Sequence, residues 1–120
     1  MPEDADRATR YTAEFRALAA ACRQPGVLEK MVPSPFGDGE MPAGVMFGIL
    51  TSDTLIHTWD LGRSIGVDVQ LDQDLLQRTW DGLIPMEEMV RRPDVFGPPV
   101  DIDDDAPMQD RAMAWFGRQP

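Results

Sequence analysis

One cysteine, one histidine and one tyrosine are spread over 120 residues, and 11 basic residues face 21 acidic ones. A single cysteine, Cys22, excludes an internal disulfide, and its place on an apolar stripe predicts a small core side chain rather than a reactive thiol. With one histidine and no strand-turn-helix glycine context, none of Ser34, Ser52 and Ser64 has the partners of an activated nucleophile. The formal net charge of -10 repels a phosphate backbone and argues against a nucleic-acid partner. No apolar run approaches the roughly 20 residues that cross a bilayer. The longest candidate, Ala43 to Leu50, is broken by glycines. The chain also opens without a basic region leading into an apolar signal segment, so the expected location is cytoplasmic, with no membrane partner. Glycines at 37, 39, 44 and 48 form no phosphate-loop or dinucleotide pattern.

What is present suits one helical domain spanning residues 1–120. The hydrophobic share of 42% and charged share of 27% are ordinary for a soluble globular chain. From Glu3 to about Arg23, Ala8, Tyr11, Phe15, Leu18 and Cys22 recur at steps of three and four, which predicts an amphipathic helix stopped by Gln24-Pro25-Gly26. Val27 to Pro42 is rich in proline and glycine and reads as an ordered loop with extended pieces. A second helix is expected from Pro42 or Ala43 to Ile65, ended by Gly66. Its wheel sets Met46, Ile49, Leu50, Asp53, Ile56, His57, Asp60 and Ser64 on one side and Leu55 and Trp59 on the other, predicting apolar contacts on two faces. Asp72 suits the N-cap of a third helix with the stripe Leu76, Thr79, Trp80 and Leu83. Met86 to Arg92 continues as a kinked or separate turn, and Pro93, Gly97, Pro98 and Pro99 force an irregular connection. Asp101 and Asp103-Asp104-Asp105 belong to a solvated connection. A short terminal helix is expected over Ala106 to Phe116, ended by Gly117. The eight methionines and Trp59, Trp80 and Trp115 serve as packing residues.

The candidate site is Asp53 with His57. Four residues advance a helix by about one turn, so both side chains leave one face, and carboxylate and imidazole are both ligands for zinc or another divalent metal. Asp60, three residues after His57, is a further candidate ligand or a supporting partner of one, or a residue that simply caps or pairs within the bundle. Spacing alone favours a plain hydrogen-bonded pair over a metal site. A catalytic zinc usually takes three protein ligands, so one is missing.

The run Leu55-Ile56-His57-Thr58-Trp59-Asp60-Leu61-Gly62-Arg63-Ser64-Ile65-Gly66 resembles the signature helix of the actinobacterial DinB-like metal-binding proteins related to mycothiol-dependent maleylpyruvate isomerase. Pro35-Phe36-Gly37 with Met41-Pro42-Ala43-Gly44 resembles the loop before that helix. Val95-Phe96-Gly97-Pro98-Pro99-Val100, Ala106-Pro107-Met108-Gln109-Asp110-Arg111 and Phe116-Gly117-Arg118 resemble the family's C-terminal end. The resemblance implies an all-α fold, the C-terminal part of a DinB-like helical bundle, with a loop-rich connection and a short C-terminal helix. The family's later acid–histidine ligand pair maps onto Asp53 and His57, with Asp53 where the isomerase carries glutamate. The chain begins about where the family's third helix begins, so its first two helices and early histidine have no counterpart here. The expected function is therefore that of a partial or degenerate family member with a weak or incomplete divalent metal site. The alternatives are a metal-dependent, mycothiol-type transferase or isomerase with a thiol or small-molecule substrate, and a non-catalytic dimerisation or binding module. A homodimer is expected, because three helices leave apolar faces uncovered.

Overall fold

The computed structural model describes residues 2–120, with side chains from Asp6 onward. It is mostly helical, with a single two-stranded ladder. Two compact units divide the chain, Met1–Ile49 and Leu50–Pro120. Among the described residues, no helix is long and apolar enough to cross a membrane.

In the first unit, α1 runs Pro2–Cys22. It stops where the chain reaches Pro25 and Gly26, the latter at a φ of 75°. The segment after it contains a short antiparallel ladder, β1 (Met31–Pro33) with β2 (Glu40–Pro42), Val32 opposite Met41. The alternation from Leu28 to Val32 is too brief to mark these strands in the sequence. They form because the turn between them closes on itself: the amide of Ser34 donates to Gly39 O and that of Phe36 to Ser34 Oγ. The loop then supplies acceptors to the first amides of α2 (Ala43–Ser64), Ala43 N to Lys30 O and Gly44 N to Leu28 O, both at 2.8 Å. These bonds satisfy amides that a helix start leaves without internal partners. The stripe of α1 is not a core element, because Tyr11, Phe15 and Leu18 are all exposed, and Cys22 is only half-buried.

The second unit holds the core. Leu55, Ile56 and Trp59 of α2 pack with Leu71, with Leu76 of α3 (Gln73–Leu83), and with Ala112, Met113 and Phe116 at α5 (Met108–Trp115). Burying such side chains stabilises the fold by about 1.5–3 kcal/mol each. The wheel of α2 is thereby corrected. Leu55, Ile56, Trp59 and Gly62 are buried, whereas Leu50, Asp53 and His57 lie on an exposed strip. Periodicity gave two apolar faces, and from Leu50 onward the tertiary contacts select the one centred on Trp59.

Asp72 caps α3 by accepting from Leu75 N at 2.8 Å. A 3-10 turn at Ile84–Met86 and the single turn α4 (Glu87–Val90) follow, with Pro85 marking the break. The irregular stretch beyond is tied to α5 by Arg91. Its guanidinium donates to Gly97 O and Trp115 O at 2.8 Å, pairs with Glu87, and lies 4.6 Å from the Trp115 ring centre. Both α2 and α5 end in the same left-handed glycine turn. In the second, Gly117 has φ 81°, Gly117 N donates to Ala114 O and Arg118 N to Met113 O. A side chain at Gly117 would also meet the carbonyls of Gly97 and Pro98 at 3.1 and 3.2 Å.

Candidate functional site

Asp53 and His57 leave α2 one turn apart, as their spacing requires, with His57 Nε2 3.2 Å from Asp53 Oδ1. Both are well exposed, at 60% for the histidine and 66% for the aspartate. Asp60 approaches the opposite edge of the ring, its Oδ2 2.9 Å from His57 Nδ1. The two ring nitrogens point in diverging directions, so Asp53 and Asp60 cannot converge on one ion together with His57. Among the described residues no group of three His, Cys, Asp or Glu side chains could hold a metal ion.

Behind Asp60 stands Arg118, brought there by the turn that ends α5. Its Nε donates to Asp60 Oδ1 at 3.1 Å and its Nη2 to Asp60 Oδ2 at 2.9 Å, while Nη1 donates to Phe116 O. A two-pronged arginine–carboxylate pair of this kind fixes both partners in orientation. It also holds the Asp60 carboxyl below its ordinary value: the Arg118 hydrogen bonds outweigh partial burial, which pushes the other way, and the His57 hydrogen bond adds to the lowering.

Ionised Asp60 and ionised Asp53 can both only accept, so each ring nitrogen of His57 is placed to donate, Nδ1 to Asp60 Oδ2 and Nε2 to Asp53 Oδ1. A neutral ring makes one of these bonds at a time and a protonated ring makes both. Asp60 stands at the far edge of the ring as a hydrogen-bond partner, and Asp53 with His57 supplies two donors where a catalytic zinc usually takes three.

Arg118 carries no local signal in the sequence that ties it to Asp60. The pair spans 58 positions and exists only because α5 packs against α2. The one legible element is Gly117, whose turn reverses the chain just before it. No family model matches this chain, and no curated protein or solved structure is found similar to it.

Proposed function

We propose that the chain is a partial DinB-like helical protein in which Asp53 and His57 form a weak two-donor site for zinc or another divalent cation. The observation that supports this most is the approach of His57 Nε2 to Asp53 Oδ1 at 3.2 Å, with the ring's other nitrogen 2.9 Å from Asp60 Oδ2. Two protein donors fall short of the three typical of catalytic zinc, so the proposal stops at cation binding and does not extend to thiol transfer or isomerisation. Four-ligand structural zinc sites bind with roughly 10–16 kcal/mol, and two donors that leave the remaining coordination to water should bind far more weakly, in the micromolar range or above. Calorimetric titration of zinc tests it. The parent should bind in that range, and His57→Ala and Asp53→Asn should each lose the site. Equal titrations of all three would refute it.

A second reading concerns α1 and is a separate matter from the cation site. Ala8, Tyr11, Phe15, Leu18 and Cys22 alternate at steps of three and four, the seam of a two-stranded coiled coil. Tyr11 is 70% and Phe15 59% exposed. We infer that a second copy of the chain covers this seam as a homodimer. Light scattering at micromolar concentration distinguishes a two-chain mass from a one-chain mass.

A further inference from the structure

We propose that the surface of the second copy that covers the α1 seam is the exposed strip of α2, so that each chain of the homodimer lays its α1 on the α2 of its partner. The proposal rests on the homodimer reading and names the seat which that reading leaves open.

The strip lies on the side of α2 opposite the buried Trp59. Leu50, Thr54, Thr58, Leu61 and Ile65 follow one another there at steps of four, four, three and four, and Asp53 and His57 form its edge. All five are exposed, Leu61 at 62% and Ile65 at 64%. The α1 seam from Ala8 to Cys22 has steps of three and four over nearly the same length, so two helices can pair along about 20 Å. The hydroxyls on the strip ask nothing of a partner. Thr54 Oγ1 donates to Leu50 O at 2.9 Å and Thr58 Oγ1 to Thr54 O at 2.7 Å, so covering them leaves no donor unsatisfied.

Charge decides between the possible pairings. From Asp6 to Arg23, four arginines stand against two acids, whereas α2 from Ala43 to Gly62 carries Asp53 and Asp60 and no lysine or arginine. Residues 50–120 as a whole hold 14 acidic side chains against six basic ones. Two α1 seams face to face gather arginines, and two α2 strips gather carboxylates. Only α1 on α2 sets opposite charges across the contact, and juxtaposed like charges are what suppress a wrong pairing. The reciprocal arrangement forms two equivalent seats, as two-fold symmetry requires. Tyr11 and Phe15 offer roughly 100 Å² or more each. With Leu18, Leu50, Leu61 and Ile65, counted at both seats, the contact reaches roughly 1,200 Å², the lower end for a stable complex.

Light scattering of the full chain at rising concentration tests the seat. The parent and Ile84→Glu, which alters an exposed apolar residue off the strip, should both show a two-chain mass. Leu61→Glu with Ile65→Glu should weaken pairing at least about thirtyfold and give a one-chain mass at micromolar concentration. Both positions are exposed, and the single Leu61→Glu, expected to weaken pairing in the same direction, decides the matter if the double variant fails to fold. Mixing the double variant with Phe15→Glu/Leu18→Glu leaves one intact α1 opposite one intact strip, and a two-chain mass should return. A strip variant that stays two-chain while Phe15→Glu/Leu18→Glu turns one-chain would overturn the seat and uphold the homodimer. A mixture that stays one-chain up to millimolar concentration would also overturn the seat. A one-chain parent would overturn both.

Discussion

Gln109 and Leu71 are joined by a buried hydrogen bond of 2.8 Å, the Leu71 amide donating to Gln109 Oε1, while Gln109 Nε2 donates to Val69 O at 2.9 Å. One glutamine side chain thus replaces, for the connection between α2 and α3, the backbone partners that a strand would have had. Substituting Gln109→Leu leaves the Leu71 amide and the Val69 carbonyl without those bonds. An unsatisfied buried polar group costs about 1–3 kcal/mol. Urea unfolding should show a loss of about 2–3 kcal/mol; a loss below about 0.5 kcal/mol would mean that the connection is held by its apolar contacts alone.

Two helical glycines should respond to alanine with opposite signs. At Gly62, a Cβ would overlap the Val69 side chain and press on Val67 O, which lies 3.0 Å away. Overpacking of that kind costs about 1–3 kcal/mol, and the helix preference of alanine returns only about 1 kcal/mol, so Gly62→Ala should destabilise. At Gly82 in α3 nothing lies within 4 Å of the added atom. Gly82→Ala should therefore stabilise by about 0.5–1 kcal/mol. Thermal unfolding of the two variants checks the contrast, and two shifts of the same sign would show that the close approach of Val69 to α2 is wrong.

Acid stability should depend on Asp60. Its folded-state carboxyl is held below the ordinary value of 3.8, first by the Arg118 hydrogen bonds. A depressed carboxyl contributes stability that is fully present above the unfolded value and is lost as pH falls through the folded one. Stability of the parent should thus fall below about pH 4 more steeply than that of Asp60→Asn. Parallel acid limbs in urea titrations would contradict the Asp60–Arg118 pairing. The group is partly exposed, so salt should reduce the difference.

The α1 seam gives a prediction of its own. Replacing Phe15 and Leu18 with glutamate puts charge on the two central positions of the stripe and should convert a two-chain mass to a one-chain mass in light scattering. Helix content should stay nearly constant in the second unit. A parent that scatters as one chain at every concentration would rule out the homodimer.

Much of the helical framework was legible because its punctuation is local. Asp72 reads as a cap, Pro25 with Gly26, Gly66 and Gly117 read as stops, and each does that work through its own backbone. The spacing of Asp53 and His57 likewise fixed their shared face. The extended pieces within Val27 to Pro42 were legible, but the pairing of Met31–Pro33 with Glu40–Pro42 was not, since three-residue strands carry too little alternation to register. Which face of α2 would be buried was not legible either, because Leu50 and Trp59 are both apolar and only the packing of Leu76, Met113 and Phe116 distinguishes them. The same holds for Asp60. Its three-residue offset from His57 suited a ligand and a supporting partner equally, and the choice depends on the ring orientation and on Arg118, which arrives from the far end of the chain.

The most direct measurement follows the two ring nitrogens of His57 while zinc is added to nitrogen-15 histidine-labelled parent protein. The expected result is a saturable shift of Nε2, the atom facing Asp53, with hydrogen retained on Nδ1 and no such response in Asp53→Asn. A spectrum unchanged at millimolar zinc, or a response centred on Nδ1, would contradict a cation site at Asp53 and His57.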